Sequence, residues 1–422
     1  MSIKINKKYT PIIVIILLLT SGIIAQTQNI IHITTIAGLQ KIGTTGYPLN
    51  GVYELTGDID ASSTRSGAGF TPIGTAAAPF TGEFYAAQGR TFVISNLYIN
   101  RPNSGIVGLF GVIGEDGIVR GIGVDNAEII GHHTVGTIAG VNYGTVDGCF
   151  GSGTVKASRQ ESSAGGLVGV NGGIISNSHS YAVVDGRENV GGLVGFLTIA
   201  PKGEISQSYA VGSVNGTSRV GGLAGRVFGG TVSDCYAAGK VTAGNRGLAG
   251  GLIGDDFVLS APSSTVWGKD ANGDYITKAS VNRSFWDIDV SEQRTSAGGM
   301  GRSTSQMRRR ATFERWDFTS AWSISEGVSY PRLIVNREPL FWLVTYYAKN
   351  GGRLVVDGVL ESDLHLYHQP VVHAAYAPQI EAAAQSGWRF VKWSDGSTAN
   401  PRSGDFITDN KTVSAEFEEV KP

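Results

Sequence analysis

A short apolar glycine motif recurs through the middle of this chain at a nearly constant interval, and that periodicity constrains the fold more than any other feature. The motif reads Gly165-Gly166-Leu167-Val168-Gly169, Gly191-Gly192-Leu193-Val194-Gly195, Gly221-Gly222-Leu223-Ala224-Gly225 and Gly250-Gly251-Leu252-Ile253-Gly254. Looser copies stand at Val107-Gly108-Leu109-Phe110-Gly111 and Gly136-Thr137-Ile138-Ala139-Gly140. From Val107 the steps are 29, 29, 26, 30 and 29 residues. A second column keeps the same register: Phe150, His179, Tyr209 and Tyr236 share one slot. Each is followed five residues on by Val155, Val184, Val214 or Val241, and preceded by a small residue, Cys149, Ser178, Ser208 or Cys235.

Periods of 20–50 residues mark solenoids, propellers or arrays. Within each repeat the apolar pieces are short and bounded by Gly, Asn, Asp or Ser, which is strand-and-turn punctuation. No segment sustains a capped helical period over three turns. A propeller blade takes 40 residues or more, so a β-solenoid fits the interval better. Its strands pair with equivalents one coil away, about 4.8 Å distant, and Gly serves where corners need positive φ or close backbone approach. Composition agrees. Gly supplies 60 of 422 residues and charged residues only 16%, yet hydrophobic residues reach 41% and aromatic residues 9%, too many for a disordered linker. The formal charge of −1 gives no electrostatic footprint for nucleic acid.

The motifs also resemble a known family. Gly-Gly-Leu-Val-Gly followed by Ile175-Ser176-Asn177-Ser178, or by Ile205-Ser206-Gln207-Ser208-Tyr209-Ala210, is similar to GLUG repeats. These occur in large bacterial surface proteins, including adhesins and immunoglobulin-A-cleaving peptidases. The resemblance extends to a lead-in (Tyr53 to Asp60, Phe70 to Gly74, Ile94 to Ile99) and to a trailer (Ser284-Phe285-Trp286-Asp287, Ser303 to Met307, Tyr330-Pro331-Arg332-Leu333). It implies a surface or adhesive protein and brings no catalytic residues with it. Two departures stand out: His179 in the aromatic slot, and an insertion from Asp255 to Ala279, expected to form a loop or a last coil that leaves the stack.

The ends differ from the middle. Lys4, Lys7 and Lys8 precede an apolar run over residues 12–19 and a plausible cut after Ala25, the pattern of a secretory signal peptide. That run is too short for a spanning helix, and no later segment is apolar enough for one. At Asn336-Arg337-Glu338-Pro339 the repeat grammar stops. Residues 343–348 read as a strand, Asn350-Gly351-Gly352 as a hairpin turn and 353–356 as its partner. Later come the segment containing Trp388, Phe390 and Trp393, and a closing strand with Val413, Ala415 and Phe417. This order is similar to the internalin B-repeat module, a small β-grasp-like domain. The expected architecture is therefore all-β: signal peptide 1–25, solenoid 26–335 and β module 336–422. The solenoid divides into lead-in 26–105, core coils 106–256, and insertion and trailer 257–335.

Chemistry-bearing motifs are scarce. His-Glu-x-x-His, Gly-x-Ser-x-Gly, a Walker loop and Cys-x-x-Cys are all absent. His132-His133 would point to opposite faces of a strand and reads as an exposed loop. His179 reads as a ring stacked in its column. Asp58 and Asp60 have the spacing of a carboxylate pair on one strand face, with a turn-facing role as the plainer reading. Asp270, Asn272 and Asp274 alternate like a calcium loop, but Gly273 comes early for an EF-hand and its closing Glu is missing. Arg308-Arg309-Arg310 reads as a solvated loop. Trp388 and Trp393 offer a sugar-stacking platform or, more simply, core.

No catalytic, cofactor-binding or metal-binding residue is assigned. The expected function is an exported, non-enzymatic surface protein presenting a rigid solenoid to glycans, cells or matrix protein. Its rivals are a carbohydrate-active β-helix enzyme and a self-assembling surface-layer component. The stack makes one sharp chemical prediction. Cys149 and Cys235 share a column three coils apart, about 14 Å at one strand spacing per coil, whereas a disulfide tolerates at most about 7 Å between Cα atoms. Denaturing the unreduced chain with an alkylating agent should label both thiols. Quantitative intrachain pairing by intact mass would overturn the coil register.

Overall fold

The computed structural model describes residues 29–199, 202–245, 247–257, 279–327, 329–334, 341–356, 366–372, 375–376, 379–402, 406–407 and 411–420. The proposed signal peptide lies outside them.

The central repeat is a circuit of short strands. One coil runs through Thr145–Asp147, Phe150–Ala157, Ser163–Gly165 and Val168–Asn171, giving four sides. Equivalent strands of successive coils pair in parallel and in register. The first side is a sheet of 9 strands. It begins with Ile30–Ile33, Val52–Leu55 and Glu83–Ala86 and ends with Ser280–Asn282. The lead-in thus supplies three strands of the first side, while the third and fourth sides begin at Ile106–Val107 and Phe110–Ile113. The second side belongs to a 13-stranded sheet, and the third and fourth are sheets of 6 strands each.

The repeat columns take the predicted places. Val155, Val184, Val214 and Val241 are direct partners along the second side. Leu167, Leu193, Leu223 and Leu252 are each fully buried. The two glycines before each Leu turn the chain from third side to fourth, where backbones nearly touch. A Cβ on Gly166 would lie 2.1 Å from the Gly192 carbonyl oxygen, and one on Gly192 equally close to that of Gly222. No L side chain fits there without moving a coil.

The next motif, Ile175-Ser176-Asn177-Ser178, builds the corner between first and second sides. Ile175 points inward and Ser176 outward, and Asn177 takes the left-handed conformation at φ 47°. Gln207, Asp234 and Arg283 hold that conformation in later coils. Ser178 then turns inward. Its hydroxyl donates to the Ser176 carbonyl at 2.6 Å and accepts from Cys149 N–H at 3.0 Å. Ser208 does the same for Ser178 N–H, and Ser284 for Cys235 N–H. The two Cys occupy this slot as free, buried thiols, and desolvation pushes the Cys149 thiol up to about 12.

The insertion, expected as a loop or as a last coil that leaves the stack, has its residues 258–278 outside the described ones, and the stack continues on both sides of them. Ile253–Asp256 still forms the fourth side of its coil, so Asp255 and Asp256 belong to the solenoid. The chain then returns in register, with Ser280 opposite Thr231 and Phe285 opposite Tyr236. Val281-Asn282-Arg283-Ser284-Phe285 replays the corner motif, which is why it fits.

Both ends are covered. At the first coil, the helix Ile36–Leu39, capped by the Thr35 hydroxyl, buries Leu39 over the lumen. At the last, Ser296 Oγ accepts from Ile253 N–H at 2.9 Å, Ala297 N–H donates to the Ile253 carbonyl and Gln293 Nε2 to that of Val241. These bonds satisfy backbone groups that an open sheet edge leaves bare. The trailer lies against the aromatic column, packing Phe313, Trp316 and Trp322 on Tyr209, Tyr236 and Phe285. Tyr236 OH donates to the Pro331 carbonyl and Trp316 Nε1 to that of Arg283. Buried Asp287 receives Tyr330 OH at 2.7 Å and Thr304 Oγ1 at 3.0 Å, fastening the trailer at its start.

The C-terminal module has its own core of Tyr346, Leu354, Ile380, Ala382, Trp393, Val413 and Ala415. Phe341–Ala348 lies between Leu366–Val372, antiparallel, and Lys411–Glu419, parallel; Trp388–Trp393 completes that sheet. First and last strands lying parallel at the centre is a β-grasp-like order. The expected hairpin at Asn350-Gly351-Gly352 does not form. Gly352–Val356 pairs instead with Ile380–Ala384. The reason is local: Gly351 turns at φ 99°, and Gly352 lies flat against the Phe417 ring, where any Cβ would collide. The chain therefore crosses the sheet and buries Leu354.

The Leu ladder is the most direct test of the stack. Replacing Leu193 by Ala should lower the urea midpoint by an amount worth roughly 2–5 kcal/mol, and by Asp should abolish cooperative unfolding of the solenoid. A soluble Leu193→Asp chain with unchanged unfolding would remove the ladder.

Candidate binding face

The outward side of the 9-stranded sheet runs along the stack as a continuous surface. Side chains alternate on strands, so every middle residue (Tyr53, Phe84, Val119, Val146, Ile175, Ile205, Val232) faces the lumen and its neighbours face outward. Register aligns one outward column as His32, Glu54, Tyr85, Arg120, Asp147, Ser176, Ser206, Ser233 and Asn282.

This column changes character along the axis. Its first half is charged: His32 Nδ1 lies 2.9 Å from Glu54, and Arg120 Nε 3.4 Å from Asp147. Asp147 also accepts from Ser176 Oγ at 2.7 Å and Asn177 Nδ2 at 2.8 Å. The second half is neutral, with serines beside the corner residues Asn177 and Gln207, until Asp234 and Arg283 close it in a two-pronged ion pair at 2.6 and 2.8 Å. Hydrogen-bonding side chains therefore repeat once per coil on a flat surface.

The residues singled out from sequence lie elsewhere. Asp58 precedes the strand Ile59–Asp60, so the two carboxylates share no strand face. Asp58 accepts from Val93 N–H, and Asp60 accepts from Ser62 N–H and Asn96 Nδ2. Those bonds, led by Asn96, hold the Asp60 carboxyl below its usual range. His132 and His133 sit at the corner between second and third sides, half-buried rather than exposed, with His133 Nδ1 2.7 Å from Thr134 Oγ1. Arg308 lies over Tyr330 and Arg310 over Phe318, so this basic run partly packs on the trailer's rings. Trp393 is buried, its Nε1 donating to the Ala399 carbonyl, and Trp388 is half-buried over Gly351. Asp270, Asn272 and Asp274 lie outside the described residues. Among the described residues no three His, Cys, Asp or Glu side chains gather as a metal site, and no helix is long and apolar enough to cross a membrane.

His179 stacks as its column implied. Its ring lies parallel to Phe150 at 5.2 Å and to Tyr209 at 4.9 Å, with Tyr181 beside it. Burial pulls its pKa down to about 3, so the ring is neutral across the physiological range.

With the stack and its motifs in place, comparison with known proteins is direct. Residues 216–242 match the profile of the GLUG motif. The chain carries this motif. It is 36% identical over 146 residues to Halomucin of Haloquadratum walsbyi, a match covering 33% of this chain and 2% of that protein. It is 30% identical over 182 residues to a protein of Evansella cellulosilytica named as a Gly-rich membrane protein, covering 42% of this chain and 18% of that one. The chain thus spans a small fraction of either relative. A crystal structure from Bacteroides ovatus, titled as an immunoglobulin A1 protease, superposes with a TM-score of 0.52 at 19% identity, over 72% of this chain and 92% of that one. That likeness is one of fold.

Sequence reasoning missed the outward column because its residues vary from coil to coil. The signal was the position just before the left-handed corner, whatever residue fills it.

His179 generates a prediction with a definite sign. Its folded pKa of about 3 lies below the unfolded value near 6.5, so the unfolded chain takes up the proton first. Its contribution is complete above about pH 6.5 and is lost as pH falls towards about 3. Between pH 7 and about pH 4.5 the wild type should lose roughly 2–3 kcal/mol more than His179→Phe, by urea unfolding at both values. Equal losses would show that the ring is not held neutral by the stack.

Proposed function

We propose that this chain is an exported, non-enzymatic surface protein whose solenoid presents its first side to a glycan polymer, with the C-terminal module serving as an internalin-B-repeat-like spacer. The observation that carries this reading is the outward surface of the 9-stranded sheet. Eight strand spacings of about 4.8 Å give a flat surface on the order of 38 Å long, with polar side chains repeating coil by coil. A repetitive ligand of hydroxyl and amide groups matches such a repeat, and solenoids offer this kind of extended surface. The GLUG motif and the names of the two relatives support a cell-surface setting, as does the N-terminal export pattern.

Two alternatives fit less well. A glycan-cleaving enzyme needs paired carboxylates about 5–9 Å apart across the scissile bond. On this face Glu54 and Asp147 are engaged by His32 and Arg120, which leaves Glu83 beside an engaged Glu54 rather than beside a second free carboxylate. A component that polymerises end to end needs open sheet edges, and the contacts of Gln293, Ser296 and Ala297 occupy backbone groups of the last second- and fourth-side strands.

The test is a glycan array probed with the chain from residue 26 onward, alongside fractionation of the producing cell. Array binding to polysaccharides should fall roughly 5–150-fold when Ser176 and Ser206 are both replaced by Lys, since each outward Lys displaces a hydrogen-bonding site of about 0.5–1.5 kcal/mol. Absence of any glycan ligand, or hits indifferent to this double substitution, would reject the reading.

A further inference from the structure

Four aromatic rings stand at or near the surface of the lead-in coils: Tyr47, Tyr85, Phe92 and Tyr98. Three carry a cation from this same chain. Lys41 lies 5.6 Å from the Tyr47 ring centre, Arg90 5.7 Å from Phe92, and Arg65 5.5 Å from Tyr98. Tyr85 differs. It lies on the outward face of the first side, with Glu54 on the strand before it and Glu83 two residues back on its own strand. Among the described residues no Lys or Arg of this chain lies over its ring, and the Glu83 carboxylate has no hydrogen-bonding or ion-pairing partner. Burial, then the charges of Glu54 and Glu83, raise the Tyr85 hydroxyl pKa, which places both carboxylates within electrostatic reach of that ring. The nearest guanidinium, Arg120 on the following strand, is turned to Asp147.

We infer that Tyr85, Glu83 and Glu54 form a seat for a positively charged amine carried by the polysaccharide that docks on this face. The inference rests on the glycan-binding reading and adds the ligand's charge. The ring face attracts an ammonium group through its quadrupole. Glu83 supplies the ionic partner, and Glu54, shared with His32, the second acceptor. The cation-on-ring half of this arrangement is one the chain already builds at Tyr47, Phe92 and Tyr98, and at Tyr98 the cation, Arg65, also pairs with the Glu128 carboxylate. The outward strand faces offer side chains to a polymer, and the serine half of the same column continues the contact along its neutral hydroxyls.

The experiment titrates the chain from residue 26 onward with a glucosamine hexasaccharide bearing free amines and with its fully N-acetylated counterpart. Isothermal calorimetry at about pH 6 keeps sugar amines protonated, since simple amines titrate higher. The free-amine oligomer should bind roughly 5–30-fold more tightly than the acetylated one, and the preference should shrink with added salt. Glu83→Gln should remove most of that preference and leave the acetylated affinity unchanged, while Tyr85→Leu should remove the preference and weaken both oligomers. Both positions face outward, and thermal unfolding of each variant checks that the coil is intact. Should either variant unfold early, Glu54→Gln provides the same readout from the neighbouring strand.

Equal affinity for the two oligomers, or a preference untouched by the variants, overturns the amine seat while leaving glycan binding in place. Failure to bind either oligomer, with array hits elsewhere, also overturns the seat alone. Failure across the whole array removes the seat and the glycan reading together. Oligolysine binding as tightly as the amino sugar, with the same sensitivity to Glu83→Gln, would transfer the seat to a basic peptide and overturn the polysaccharide assignment.

Discussion

Everything in the solenoid depends on one distance, the spacing between a backbone and its copy in the next coil. Parallel strands pair at about 4.8 Å, and every side of every coil must meet that value at once. Where sides face the lumen, Leu and Val stack on their own kind and fill it. Where third and fourth sides turn on each other, there is room for backbone alone, and a Cβ on Gly166, Gly192 or Gly222 would strike a carbonyl oxygen of the next coil. The glycine pairs are therefore the condition under which the leucine ladder can form. The corner serines act in the same way on the hydrogen bonds, each bonding the coil before it while turning its own chain inward.

This division of labour explains which parts of the fold were legible. Inward positions obey the common spacing, so they repeat, and repetition is visible in a single sequence. The Val155 and Phe150 columns, the Leu ladder and the separation of the two thiols all followed from counting residues. The lead-in strands were harder to join to the stack because Val52–Leu55 and Glu83–Ala86 lack the glycine pair that marks a coil. The return after the insertion was legible in principle, since Val281 to Phe285 repeats the corner motif, but the long interruption broke the count. The hairpin at Asn350 failed for another reason. A turn signal shows that the chain reverses, while the choice of partner strand is set by tertiary contacts such as Phe417 on Gly352.

The outward face of the first side was the least legible part, and the cause is physical. Outward residues on a strand are free of the lumen's packing demands, so nothing compels Glu54, Tyr85, Arg120 and Ser206 to resemble one another although they share a column. A motif search looks for residues fixed by chemistry at fixed sequence spacing. Here the spacing that matters runs across coils, between residues about 30 positions apart, and it becomes visible only once register is known.

The same freedom shapes how such a protein can acquire a function. A substitution on the outward column leaves the lumen untouched and alters one coil's contribution to the surface, so charge can be placed coil by coil along an otherwise uniform scaffold. The gradient from the Glu54 and Arg120 coils to the Ser206 and Ser233 coils has this form. In the second sheet the balance is reversed, because the trailer covers the aromatic column. A change at Tyr236 or Phe285 is felt through Trp316, Trp322 and the bond to Pro331. The first side can therefore vary while the aromatic column cannot, so the outward positions of the 9-stranded sheet are free to differ from coil to coil.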